Sequence, residues 1–281
     1  MTLSAPSTPE KDRLTALAAS RYRNGQKLSA SWNEALDAIL SHRSVRSYLP
    51  QSVPDNIIEI AVAAGQSAPT SSNLQAWSVI AVEDKDLQDR LNAVAGNQRQ
   101  ITEAPLLLVW LADLARSRGI ATEKGRTADG LDYLESFLLG VIDAALAAQN
   151  AVVALESLGF GTCYIGAIRN DPEAVSRELG LPDGVFAVFG LTVGYPDPAR
   201  PADVKPRLSQ QAVLHRNRYD PTAHRAALVD YNHALGSFQR EQAMPPADWT
   251  EQVSSRIGTE TALKGRHVLK GVIRKLGFTL K

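Results

Sequence analysis

Pro105-Leu106-Leu107-Leu108-Val109-Trp110-Leu111-Ala112 runs almost without a polar side chain. A strand wetted on one face alternates apolar and polar residues, so this run predicts a strand covered on both faces. The stretch Leu131–Leu158 is nearly as apolar but is broken by Asp132, Glu135, Asp143, Gln149, Asn150 and Glu156. Those groups are costly in lipid, so the segment predicts a buried helix and not a membrane span. It ends at Gly159 and Gly161 and is the candidate for a central core helix or a dimer seam.

Around this pair, helices are expected at Trp32–Leu40 and Pro54–Gly65, and strands at Trp77–Val82, Thr162–Gly166 and Val185–Val193. An acidic turn follows the first strand, residues 116–130 read as a flexible loop, and a helix fits Asp171–Leu179. Further helices are expected near 222–238, 247–257 and 264–275. Strands and helices mix without regular βαβ units, which predicts an α+β layered sandwich with a mixed, mainly antiparallel sheet flanked by helices. Residues 1–31 form an N-terminal arm or short helix, and residues 32–281 a single domain that includes a C-terminal helical excursion at 200–281.

The 281 residues are 44% hydrophobic and 21% charged, ordinary for a soluble protein. Lys+Arg and Asp+Glu both number 30, a balance that argues against a nucleic-acid binder. One cysteine, Cys163, excludes an internal disulfide and a thiolate metal cluster within one chain. No metal site and no membrane association are expected. The first thirty residues hold Lys11, Asp12, Arg13, Arg21 and Arg23 and no uninterrupted apolar core, so the cytoplasm is the expected compartment.

Four segments carry the chemistry: His42-Arg43-Ser44-Val45-Arg46, Ala68-Pro69-Thr70-Ser71-Ser72-Asn73-Leu74-Gln75-Ala76-Trp77, Tyr164-Ile165-Gly166-Ala167 and Lys205-Pro206-Arg207. A phosphate dianion is held best by guanidinium forks with hydroxyl and backbone donors, and Arg43, Ser44 and Arg46 supply that set within one short stretch. Neither glycine-rich phosphate-loop pattern occurs, so phosphate binding would rest on side chains. Each segment alone also has a plain structural reading. Arg43 and Arg46 fit solvated charges at a helix C-terminus, the serine-rich run fits a turn with a cap, and Lys205-Pro206-Arg207 fits a surface linker. Cys163 fits a small buried hydrophobe better than a nucleophile.

As an ordered set, with Gly96-Asn97-Gln98 and the extensions Tyr-Ile-Gly-x-x-Arg-Asn and Lys-Pro-Arg-Leu, these segments resemble the FMN-dependent nitroreductases over about residues 33–281. The similarity is greatest to the NADPH-preferring branch of major oxygen-insensitive nitroreductases and flavin reductases. The resemblance implies that His42, Arg43, Ser44 and Arg46 hold the FMN phosphate and ribityl chain, with Lys205 and Arg207 closing on it. It implies that Thr70, Ser71 and Asn73 reach flavin from the partner subunit, hence a homodimer. Gln98 would hydrogen-bond the flavin, and the Tyr164, Ile165, Gly166 and Ala167 backbone would lie against its ring. Arg266 and Arg240, in a C-terminal segment otherwise readable as a solvated basic face or a membrane-surface helix, would bind NADPH phosphates. Two departures stand out: Ala76 where many relatives have proline, and Ala167 where the nearest branch often has glycine.

The implied activity is a ping-pong oxidoreductase in which NADPH reduces FMN, and a small-molecule acceptor, a nitroaromatic, quinone or flavin, then reoxidises it. Hydride transfer needs no protein acid or base, so no side chain is assigned a catalytic role. Two other readings remain open at the level of sequence: an FMN-dependent dehydrogenase or reductive enzyme of specialised metabolism, and a non-catalytic flavin-binding or storage protein.

Overall fold

The computed structural model describes residues 8–26, 28 and 30–281. In chain order the elements are α1 (Thr8–Tyr22), α2 (Glu34–Leu40), α3 (Asp55–Gln66), β1 (Trp77–Val82), α4 (Lys85–Val94), α5 (Arg99–Glu103), β2 (Leu106–Asp113), α6 (Ala115–Glu123), α7 (Leu134–Ser157), β3 (Gly161–Ile165), α8 (Pro172–Leu179), β4 (Val185–Gly194), α9 (His224–Glu241), α10 (Trp249–Ile257) and α11 (Leu269–Lys275). The chain divides into two compact units. The larger is Ser44–Pro201 with Leu263–Lys281, and the smaller is Met1–Arg43 with Ala202–Ala262.

In the larger unit the strands form one antiparallel sheet, ordered β1-β2-β4-β3, with a bulge where β2 passes from Trp110 to Leu111. Every residue of β2 is buried, and its alternation divides the core in two. Leu106, Leu108 and Trp110 pack with Ile57 and Ala61 of α3 and with Ala147, Ala148, Ala151, Val152 and Leu155 of α7. Leu107, Val109 and Leu111 pack with Leu91 of α4, Ile101 of α5 and Val175 of α8. Burial of each such side chain contributes about 1.5–3 kcal/mol, which makes double coverage of β2 the main stabilising term. The alanine face of α7 permits a close approach: a methyl on Gly65 of α3 would stand 3.3 Å from the Ala147 carbonyl and 3.2 Å from the Trp77 ring.

The last residues seal the end of α7. Phe278 stacks edge-on against Phe137, the Leu134 N–H donates to the Lys281 carbonyl, and the Lys281 ammonium pairs with Asp132 at 2.9 Å. The expected C-terminal excursion is therefore split, with 202–262 in the smaller unit and 263–281 in the larger. In the smaller unit α1 buries Leu14, Leu17 and Ala18, and α9 buries Tyr231, Leu235 and Phe238, with the Tyr231 ring edge-on to Trp249.

The strands lie within a residue of the expected positions. Three helices, α4, α5 and α6, were not expected. Residues 116–130 are not a loop throughout, because α6 occupies Ala115–Glu123 and begins with the Arg116 N–H donating to Asp113 Oδ1 at 3.2 Å. Gly119 and the lack of an apolar stripe hide it. The acidic turn after β1 is the start of α4, where Asp84 accepts from the Asp86 and Leu87 N–H groups as an N-cap.

Candidate functional site

Ser44 and Arg46 lie on a segment sewn to the sheet edge. The Val45 N–H donates to the Thr162 carbonyl at 2.9 Å, and Ser44 forms a parallel bridge with Thr162. The Tyr48 hydroxyl donates to the Val45 carbonyl and meets Thr192 Oγ1, both at 2.7 Å. Burial pushes the Tyr48 phenol well above its ordinary value, so it stays a neutral donor. Gly161 is required opposite this segment, since a Cβ there would sit 2.7 Å from Val45. Arg46 is left exposed on fixed backbone.

Beyond the bridge, β3 ends in Tyr164-Ile165 and the chain tightens into a 3₁₀ turn over Gly166–Asn170. The Tyr164 ring stands edge-on to Phe189 at 5.1 Å, and burial raises its phenol. Gly166 and Ala167 are half-buried. Arg169 and Asn170, part of the motif quoted above but not singled out there, belong to this cluster. The Arg169 guanidinium donates to the Val188 carbonyl and lies 3.4 Å from where a Gly166 methyl would be. Arg266 forks onto Asn170 Oδ1 through Nε at 3.1 Å and Nη2 at 2.9 Å. Burial, then the nearby Arg266 charge, pushes the Arg169 guanidinium below its ordinary value, as expected of two cations facing one small region. Cys163 of β3 is buried, and burial raises its thiol, which makes it a poor nucleophile.

The serine-rich turn hangs on a residue that the sequence reading noted only as a polar break in an apolar helix. Asp143 of α7, 2% exposed, accepts from Thr70 Oγ1 at 2.6 Å, the Ser71 N–H at 3.2 Å and the Ala76 N–H at 3.0 Å. Ser72, Asn73 and Gln75 all hold positive φ, which costs about 1–2 kcal/mol each outside glycine and persists only where surrounding contacts impose it. The Thr70 hydroxyl also accepts from the Gln75 N–H at 2.9 Å, so it is engaged within its own turn, while Ser71 and Asn73 are exposed. Ala76 is not a passive departure, because a proline there would lack the N–H that Asp143 accepts. Gln98 caps α5, with its own N–H donating to Asn92 Oδ1 at 2.7 Å and its amide donating to the Ala95 carbonyl at 2.9 Å.

The remaining predicted residues belong to the smaller unit. His42 is half-buried, and Arg43, Lys205 and Arg207 are exposed. The main chain carrying them is gathered by Arg21 of α1, another residue that sequence reading left aside. Its guanidinium donates to the carbonyls of Leu40 at 2.9 Å, His42 at 2.8 Å and Lys205 at 3.1 Å. Arg240 lies in the last turn of α9 and donates to Ser237 Oγ at 3.0 Å.

Exposed guanidinium and ammonium groups on pinned backbone, without a glycine-rich loop, offer the kind of donors that a phosphate group would need. Residues 39–195 match the Nitroreductase family and residues 205–281 match the Nitroreductase family, C-terminal domain. The chain is 37% identical over 251 residues to an FMN reductase (NADPH) of Bacillus subtilis, covering 88% of this chain and 98% of that one. It is 37% identical over 247 residues to a Cr(VI) reductase of a Pseudomonas species, covering 87% and 99%. The solved structure of NfrA2 from B. megaterium superposes with a TM-score of 0.83 at 35% identity, covering 89% of this chain and all of that one. The chain belongs to the nitroreductase family.

Replacing Asp143 with alanine would leave the Thr70 hydroxyl and the buried Ala76 N–H without their acceptor. A loss of about 2–4 kcal/mol in denaturant unfolding is expected, partly restored in Asp143→Asn, with faster hydrogen exchange at Ala76. An unchanged unfolding midpoint in Asp143→Ala would refute the anchoring role.

Proposed function

We infer that the protein is an NADPH-dependent FMN oxidoreductase that reduces small-molecule acceptors such as nitroaromatics, quinones or free flavins. The observation that carries this reading is the exposed cations held on immobilised backbone around Arg21: Arg43, Lys205 and Arg207. Their chemistry fits a phosphate dianion, and the resemblance would add Ser44 and Arg46, which lie beside β3 in the larger unit. Tyr164, Ile165, Gly166 and Ala167 would lie against the flavin ring, and Gln98 would contact it. Bound FMN supplies the hydride chemistry: it accepts a hydride from NADPH and passes reducing equivalents to the acceptor.

The protein's own part is binding and orientation, and holding reactants in near-attack geometry supplies about 7–11 kcal/mol in well-oriented systems. Arg266, held rigid by Asn170 and facing Arg169, is assigned to the NADPH phosphates, with Arg240 as a further cation for the same ligand. The Arg169 charge close to Gly166 favours an anionic partner at that end of β3. The single buried thiol, which forms no disulfide, suits a reducing cytoplasm.

A homodimer is proposed on the exposed face of α7. Leu134, Leu138, Ile142 and Leu146 recur every fourth residue and are 40–55% exposed, a stripe that a second copy would bury. Ser71 and Asn73, exposed on the turn anchored to this helix, are the side chains offered to a partner's flavin. Light scattering should give twice the chain mass, and Ile142→Lys should shift it toward the monomer. A wild-type monomer at micromolar concentration would sink the dimer.

Purified protein is expected to show a flavin absorbance spectrum that bleaches on anaerobic addition of NADPH and returns on addition of a quinone or nitroaromatic. Bleaching by neither NADPH nor NADH would favour flavin storage over catalysis, and failure to bind added FMN would overturn the reading.

A further inference from the structure

The match to the nitroreductase family begins at residue 39, yet α1 precedes it and makes specific contacts. Arg21, in its last turn, is 8% exposed, an unusual state for a guanidinium. Three main-chain carbonyls receive its donors: Leu40 and His42 through Nη2, and Lys205 through Nη1. Its own carbonyl accepts the Arg207 N–H at 2.9 Å. One residue thus holds, by side chain and main chain together, the two basic segments that sequence separates by about 160 positions.

The consequence for the exposed cations follows from peptide geometry. A planar trans peptide sends its N–H opposite to its carbonyl, so fixing the His42 carbonyl also orients the Arg43 N–H and the N–Cα bond that leads to its side chain. At Lys205 the carbonyl is held by Arg21, and the following Pro206, which carries no N–H, restricts the Lys205 backbone to extended conformations. Arg207 is set directly through its N–H. The helix bearing Arg21 is itself anchored. Leu14, Leu17 and Ala18 are buried, Arg13 forks onto Asp37 with Nη2 at 2.8 Å from Oδ2, and Arg23 meets both oxygens of Glu241 at 2.7 and 2.8 Å.

We propose that Arg21 is a positioning residue for the phosphate end of the flavin site, so that the N-terminal helix lying outside the family match is a working part of cofactor binding. The proposal rests on the reading that Arg43, Lys205 and Arg207 hold the FMN phosphate. Its signature is selective: Arg21 governs affinity for a flavin that carries a phosphate and leaves affinity for one that lacks it.

The test compares equilibrium dissociation of FMN and of riboflavin from the full-length chain. In Arg21→Ala the FMN dissociation constant should rise about tenfold or more, equivalent to about 1.4 kcal/mol, while the riboflavin constant stays within about twofold. Arg21→Lys, which keeps the charge but cannot fork to three carbonyls, should fall between the two. Arg13→Ala, which loosens α1 without touching either basic segment, should leave the ratio of the two constants unchanged. Arg207→Ala tests the underlying reading separately: if it leaves the FMN to riboflavin ratio intact, the clamp assignment itself is wrong. If Arg207→Ala raises the FMN to riboflavin ratio of dissociation constants and Arg21→Ala does not, Arg21 is a structural anchor only and the proposal is overturned. Should Arg21→Ala not fold, the folded Arg21→Lys protein decides in the same way, and an unchanged ratio there refutes the positioning role.

Discussion

Double coverage of β2 is the constraint on which the rest of the larger unit depends. A strand with all eight residues buried needs apolar partners on both faces, and α3 with α7 on one side and α4, α5 and α8 on the other supply them. That need explains the alanine-rich face of α7, the glycine at position 65 and the all-antiparallel sheet with β2 and β4 at its centre. An interior this apolar has no place for a charged ligand, and the proposed cofactor contacts lie on segments at its margins.

Those marginal segments are held by a few buried polar groups. Asp143 secures the strained turn over 70–76, and the Tyr48 and Thr192 pair secures the backbone of Ser44 and Arg46. Arg21 secures the main chain of Arg43, Lys205 and Arg207. In each case the buried group satisfies backbone donors or acceptors of the segment that carries the candidate side chains. Buried polar groups are costly unless fully partnered, and the partners here are the loops that function needs.

The sequence made the frame readable because its signals are local. The apolar run at 105–112, the capped helix at 172–179 and the β-type run at 77–82 each carry their own pattern. Helix α6 was hidden by Gly119 and by the absence of an apolar face, and α4 by its charged composition. The donors of the candidate site were legible as motifs, and the family match agrees with the resemblance they suggested. What could not be read was the support. Asp143 is 67 positions from Ala76, and Arg21 is 184 from Lys205; only the folded chain brings such pairs together. Ala76 illustrates the gap: where many relatives have proline, its N–H supplies one of the three donors to Asp143.

If flavin is held through its phosphate by side chains on prepositioned backbone, a crystal structure of the FMN-loaded protein will show it. It should show phosphate oxygens within about 3 Å of the guanidinium groups of Arg43 and Arg207. A phosphate facing solvent, or held by other residues, would contradict the claim.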